Sequence, residues 1–311
     1  MTDTKAVRKT AGKRRTGDIV FYCCLLAFPV LQFCFLYIGV NVNSVLLAFK
    51  KYDVLTGSSE YIGFDNFVRL FTDIRISPVY RYGFINSLIA YAASLVVGMT
   101  CGLIFSYYIY KKKFASNFFK VILFAPSVIS AIVLVTVFRI FVDTFIPTVV
   151  NKLFNTHILG LLTESDTVMP TLIFYYLWAG FGVPILMYVG AMSNIPDSTI
   201  EAARLDGVKP MREFVSIVLP QIFSTVAVFF TTGIAGIFVN QLNLFSFYGT
   251  NAEHQYYTIG YLLYVRVQSA TSYAEYPQLS ALGVLITVIT APLVLVLRKL
   301  FNRFDPMREE K

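Results

Sequence analysis

The chain has 311 residues, 56% of them hydrophobic and only 14% charged, well below the roughly 25% charged residues of an ordinary soluble domain. That balance excludes a soluble enzyme or binding module and points to a protein built in a lipid bilayer. The net charge of +8 does not signal a nucleic-acid partner, because the basic residues follow the faces of the apolar blocks instead of gathering in one patch.

In chain order, residues 1–18 form a basic tail with Lys5, Arg8, Lys9, Lys13, Arg14 and Arg15. The apolar block that follows, 19–49, is longer than a signal-peptide core and reads as a retained anchor. Further apolar blocks lie at 83–110, 118–142, 168–193, 220–247 and 278–300, each able to supply the ~20 residues that cross a bilayer as helix. In lipid every backbone group must be satisfied internally, and no ten-residue alternating pattern repeats. The expected fold is therefore an all-α membrane protein, a bundle of six transmembrane helices. An amino terminus in the cytoplasm places four further basic clusters on that same side. They are Lys111, Lys112, Lys113 and Lys120; then Arg204, Lys209 and Arg212; then Arg298 and Lys299; and Arg303, Arg308 and Lys311 in the tail 301–311. The positive-inside rule makes both termini cytoplasmic.

Between the first two blocks, YIGFDNFVRLF places Phe64, Phe67, Val68 and Phe71 at helical spacing. They predict a short amphipathic helix on the outer surface, as a membrane-hugging connector or a partner contact. Cys23, Cys24, Cys34 and Cys101 lie inside apolar blocks without zinc-type spacing and read as packing residues. Gly98 and Gly102 have the spacing that brings helix backbones together, and Pro126, Pro184 and Pro292 can kink their helices. Arg139 and Asp143, four residues apart, form an expected interfacial anchor. Residues 248–277 contain YYTIGYLLYV, too short to span and read as interfacial.

A polar stretch, Asn194 to Gln221, separates the fourth and fifth blocks. Ser198-x-x-Glu201 has capping-box spacing, with Asp197 as an alternative cap, and predicts a helix of about nine residues. Gly207 supplies the left-handed residue that ends it, and Pro210 starts the next helix. At ~13 Å such a helix is not stable in water alone, so something must hold it. Other chemistry is missing. No phosphate-binding G-x-x-x-x-G-K-[ST] occurs, so ATP and Mg²⁺ would belong to another subunit. His157 and His254 are far apart and make no metal site; no activated nucleophile and no series of buried acids for ion coupling is visible. No catalytic residue and no bound cofactor is expected.

Glu201-Ala202-Ala203, Asp206-Gly207 and Ile217-x-Leu219-Pro220 together resemble the EAA motif of permease subunits of binding-protein-dependent ABC importers. IGFDNFVRLF, LFAPSVIS and LWAGFGVPILMYVGAMSNIP extend the likeness over most of residues 19–300, closest to the sugar permease branch of the maltose and glycerol-phosphate systems. The resemblance implies a type I ABC importer permease domain over 19–300 in a bacterial cell membrane, with a cytoplasmic coupling segment at 194–220. It implies a second permease subunit as heterodimer partner, two cytoplasmic ATPase subunits holding ATP and Mg²⁺, an extracytoplasmic solute-binding protein and a carbohydrate cargo. Ser198, Glu201, Ala202, Ala203, Asp206 and Gly207 would then couple the chain to the ATPase, the small alanine faces permitting close docking. The family's pocket carries over to Tyr176 and Gly180 in the fourth span and Gly233, Ile237 and Asn240 in the fifth. From the residues themselves, Tyr176 and Trp178 can stack on sugar faces, and Asn240, Gln241 and Asn243 offer amides without charge. The chain departs from many relatives at Phe145-Ile146-Pro147, where they carry a glycine. The competing readings are an ion-gradient-driven secondary transporter and a membrane-embedded enzyme.

Overall fold

The computed structural model describes residues 3–54 and 56–306, with side chains from Gly17 onward. The basic side chains of Lys5 to Arg15, and Arg308 and Lys311, lie outside the described residues. The chain divides into two compact units, one holding the chain up to Leu70 with Ala270–Val284, the other Phe71–Ser269 with the chain from Leu285 onward.

In the first unit, α1 (Asp3–Gln32) passes through a wider-pitched stretch, Phe33–Gly39, into α2 (Val40–Leu47). Gly17–Leu47 is thus a 31-residue apolar helix with large exposed side chains, Phe28 at 73% and Phe35 at 74% among them. Such exposure is a penalty in water and none in lipid. Cys23, Cys24 and Cys34 are exposed on this helix and only Cys101 is half-buried, so the first three do not pack inside the protein as expected. A hairpin absent from the all-helical expectation follows, β1 (Lys50–Tyr52) against β2 (Ser59–Tyr61), antiparallel with Lys51 opposite Glu60. Helix α3 (Asp65–Ile76) is the predicted amphipathic helix, with Phe64, Val68 and Phe71 exposed. Its buried face is anchored by Asn66, whose Nδ2 donates to the carbonyls of Ala48 at 2.9 Å and Lys50 at 2.8 Å.

In the second unit, α4 (Pro78–Ala93) continues through the wider turn Ser94–Met99 into α5 (Thr100–Tyr110), a 33-residue run. Gly98 and Gly102 let side chains of the fourth span approach: a Cβ on Gly98 would lie 3.2 Å from Leu177, and one on Gly102 3.8 Å from Tyr188. The expected third span, 118–142, is not one helix. Here α6 (Ser116–Val128) ends where Ile129 and Ser130 turn extended, and α7 (Ala131–Ile140) starts afresh and runs through Phe141–Phe145 into α8 (Ile146–Phe154). Pro126 has no N–H to give the carbonyl four residues back, which weakens the ladder just before the break. Pro147 sits in the first turn of α8, so Phe145-Ile146-Pro147 continues the helix beyond the expected end of the span at 142.

Helices α9 (Ser165–Gly180) and α10 (Gly182–Ser193) make one span bent by 42° at Phe181, with Pro184 in the first turn after the bend. The polar stretch forms α11 (Asp197–Leu205) and α12 (Pro210–Glu213), which continues through Phe214–Val218 into α13 (Leu219–Gln221). A 73° bend at Ile222 leads to α14 (Phe223–Ala235). The expected span 220–247 stops short: Gly236 to Asn243 form turns, with Leu242 and Asn243 in the left-handed region, before α15 (Leu244–Tyr248). Helix α16 (Ile259–Ser269) holds the Tyr-rich segment and at 11 residues, ~16 Å, cannot cross ~30 Å of hydrocarbon. The closing α17 (Tyr276–Phe304) accommodates Pro292 without a break. Four helical runs are long and apolar enough to cross a membrane, six when each bent pair counts as one span, which is the expected bundle.

Candidate functional site

Two places gather the residues singled out by the sequence. The first is α11 and its exit. Its amino-terminal cap is Pro196 in an extended conformation, with no side-chain cap bond. The capping box therefore does not form: Ser198 lies in the first turn instead of at the cap, and Asp197 is the first helical residue. Asp197 and Arg204 still oppose the helix dipole at their respective ends. The carboxyl end follows the expected pattern. Gly207 has φ +68°, its N–H donates to the Arg204 carbonyl at 3.0 Å, and the Val208 N–H reaches back to Ala203 at 3.0 Å. This closes a Schellman turn that a side chain at Gly207 would strain.

The helix is held first by its own chain. Ile200 and Ala203 are each 5% exposed, and Ile200 enters an apolar cluster with Leu103, Tyr188, Met192, Ile195, Phe214 and Val218. Burying Ile200 contributes on the order of 2 kcal/mol. Ala203 therefore faces inward, and only Ala202 of the alanine pair is available for docking from outside. Ser198, Glu201, Ala202, Asp206 and Gly207 are exposed, with Leu205 at 89% and Met211 at 68% beside them. Arg204, Lys209 and Arg212 are exposed alongside Asp197, Glu201 and Asp206, so the free surface carries both signs of charge and is edged by two apolar side chains.

Beneath this surface lies an ion pair that the sequence did not reveal. Lys111 Nζ meets Glu213 Oε1 at 2.5 Å, with the side chains 11% and 4% exposed. Tyr107 completes the joint, its hydroxyl donating to the Pro210 carbonyl at 3.0 Å and its ring lying 5.8 Å from Lys111 Nζ. The end of α5 and the start of α12 are clamped together by charge, hydroxyl and ring.

The second place is a cleft walled by α4 and the wider turn that follows it, and by α9, α10 and α14. Two connected cavities of about 180 and 460 Å³ share Tyr91, Ser94, Tyr176, Phe229 and Gly233. Of the sequence-derived candidates, Tyr176, Gly180, Gly233, Ile237 and Asn240 line this cleft. A Cβ on Gly233 would sit 2.9 Å from the Tyr91 ring, so this glycine admits the tyrosine that forms the opposite wall. Nothing lies within 4 Å of a Cβ on Gly180, so the cleft wall is open at this position. Asn240 lines the cleft and caps its own turn, Oδ1 accepting from the Leu242 N–H at 2.9 Å.

Trp178, Gln241 and Asn243 do not line these cavities. Trp178 belongs to an aromatic cluster, 6.0 Å from the Phe138 ring and 6.1 Å from Tyr175, because α9 turns it toward α7. Gln241 and Asn243 are turn residues leading into α15, where the Gln241 carbonyl accepts from Leu244 N–H at 2.9 Å and Asn243 takes the left-handed conformation. Tyr91, Ser94, Phe229 and Thr232 line the cleft unforeseen. Helical spacing of Tyr91 with Ser94, and of Phe229 with Thr232 and Gly233, was the available signal.

Polar side chains also tie the cleft to the segment before α16. Asn86 Nδ2 donates to the carbonyls of Gln255 at 2.7 Å and Tyr257 at 2.9 Å, and Ser87 Oγ accepts from the Ile259 N–H at 3.1 Å. Burial, reinforced by Glu253, pushes the Tyr256 hydroxyl above the ordinary tyrosine value, keeping it neutral. Arg139 and Asp143 approach to 3.9 Å as expected, while Arg139 also donates to the Phe247 carbonyl at 3.2 Å and Asp143 accepts from the Leu162 N–H at 2.8 Å. Among the described residues no group of three or more His, Cys, Asp and Glu could hold a metal ion.

Residues 79–309 match the family described as the binding-protein-dependent transport system inner membrane component. The multiple sugar-binding transport system permease protein MsmF of Streptococcus mutans is 23% identical over 281 residues, covering 89% of this chain and 93% of that protein. The arabinooligosaccharides transport system permease protein AraP of Bacillus subtilis is 24% identical, covering 88% and 86%. Among solved structures, a chain of a bacterial alginate ABC transporter in complex with an alginate pentasaccharide-bound periplasmic protein superposes with a TM-score of 0.75 at 22% identity, covering 94% of this chain and 98% of that one.

Proposed function

Because the chain belongs to the family of binding-protein-dependent transport system inner membrane components, we propose that it is the permease subunit of an ATP-driven ABC importer and forms half of a pathway for a carbohydrate. It is a multi-pass membrane protein, and the observation that carries the reading is the pairing of a free charged coupling surface at α11 with a cleft lined by rings and neutral polar groups. The names of its relatives, which carry multiple sugars and arabinooligosaccharides, support the cargo class.

In this reading the chain spans the bacterial cell membrane with both termini in the cytoplasm, and 194–220 is the coupling segment of a permease domain over 19–300. A second permease completes the pathway, two ATPase subunits seat α11, and a solute-binding protein delivers the sugar from outside. ATP and Mg²⁺ bind in the ATPase, and this chain makes or breaks no covalent bond. Its residues perform three tasks. Glu201, Ala202 and Asp206 present the docking face; the Lys111–Glu213 clamp passes its displacement to α5; and α5, α9 and α14 carry that displacement to the cleft walls.

Uptake by the complete importer in proteoliposomes tests the proposal. Uptake should require ATP and the binding protein; uptake that instead follows a sodium or proton gradient without any ATPase would overturn it. Gly207→Leu forces a side chain into the left-handed region, at about 1–2 kcal/mol. This variant should still insert and assemble, yet lose at least about tenfold in sugar moved per ATP hydrolysed. Unchanged coupling would remove α11 from the docking role.

A further inference from the structure

We propose that the cleft accepts uncharged saccharides and turns away carboxylated or phosphorylated ones. The inference rests on the carbohydrate-permease reading and specifies the chemical class of its cargo. Among the described residues, no Lys, Arg, His, Asp or Glu lines either cavity. Its polar side chains are all neutral: the hydroxyls of Ser87, Ser94 and Thr232, the phenols of Tyr91, Tyr176 and Tyr188, and the amide of Asn240. Groups of this kind replace the water on sugar hydroxyls one hydrogen bond for another, and aromatic faces cover the apolar C–H faces of a pyranose.

A carboxylate entering the same space would lose its water and find no guanidinium or ammonium in exchange. The faces of the aromatic rings carry partial negative charge and add repulsion. Cations elsewhere in this unit do not compensate. Lys111 is committed to Glu213, Arg139 to Asp143 and the Phe247 carbonyl, and neither lines the cavities. The same fold serves an importer of the acidic polysaccharide alginate, so the fold leaves cargo charge open. Side chains on the cleft wall decide it.

The complete importer in proteoliposomes, supplied with its binding protein, is offered maltotriose, raffinose, trigalacturonate and the methyl ester of trigalacturonate. ATP-driven uptake is compared between the wild type and Thr232→Arg, which adds a cation to the cleft wall. Any preference of the binding protein is common to both and cancels in the ratio. At least one neutral saccharide should be taken up, with trigalacturonate below about a tenth of that rate, and Thr232→Arg should raise the acidic-to-neutral ratio about tenfold. Asn240→Lys provides the same cation from the neighbouring turn if Thr232→Arg fails to assemble. Uptake of trigalacturonate by the wild type as fast as the neutral sugars overturns the inference and leaves the carbohydrate reading intact. An acidic-to-neutral ratio unmoved by the added cation assigns selection to the binding protein and also overturns it. If no saccharide of either kind is taken up, the carbohydrate reading falls together with the inference.

Discussion

At α11 the chain places a buried ion pair, Lys111 with Glu213, close to an exposed surface that carries both signs of charge, whereas among the described residues the cleft between α9 and α14 is lined by no ionisable side chain other than tyrosine. The contrast follows from what each region must do. A joint that transmits force needs contacts that hold one geometry, and a charge pair shielded from water with a hydroxyl and a ring beside it does so. A passage for a hydroxylated cargo needs many weak contacts that can be exchanged, since strong ones would trap it. Small residues serve both regions differently: Gly207 ends a helix, and Gly233 makes room for a ring.

Breaking the joint should give the largest effect. Glu213→Ala leaves Lys111 buried without its carboxylate, a loss on the order of 3 kcal/mol that thermal unfolding in detergent would register. Replacing both partners by apolar residues, Lys111→Met with Glu213→Leu, should recover most of that stability. Poor coupling in the recovered double variant would show that the pair transmits motion and does more than hold the fold. Full coupling would reduce it to packing.

A change in the cleft should have a smaller and purely functional effect. Asn240→Leu removes the bond to the Leu242 N–H, worth about 1 kcal/mol, together with an amide on the cleft wall. Uptake should fall several-fold, about 1 kcal/mol in the same terms, while assembly with the ATPase is unchanged. Wild-type uptake would remove Asn240 from the pathway. The smallest effect sharpens the comparison from the other side. Ser198→Ala touches no cap bond and should change stability by less than about 0.5 kcal/mol, where a true capping serine would cost about 1.

Much of the fold was legible from local chemistry. Apolar runs of bilayer length give the spans, Gly207 and Pro210 end and restart helices at the expected positions, and Phe64, Val68 and Phe71 mark the exposed face of α3. The misreadings share a cause. Ser198 has capping-box spacing, yet the preceding Pro196 takes the cap position. Trp178 is the kind of residue that stacks on sugar, yet α9 directs it toward Phe138. The block 118–142 is apolar throughout and still breaks at Ile129, since composition records how much helix lipid will tolerate and not where the backbone turns.

By itself the sequence determined that this chain lives in a bilayer, that a polar helical segment ended by a glycine interrupts its spans, and that the segment carries the EAA pattern. These are properties of neighbouring residues, set by hydropathy, helix ends and spacing. Only the tertiary structure decided which side chains meet: Lys111 with Glu213 across 102 positions, Asn86 with the carbonyl of Tyr257 across 171, and Tyr91 against Gly233. Contacts of that range depend on how the helices bend and pack, and no local pattern encodes them. The cleft without charge belongs to the same class, because its neutrality results from four helices turning their uncharged faces toward one space.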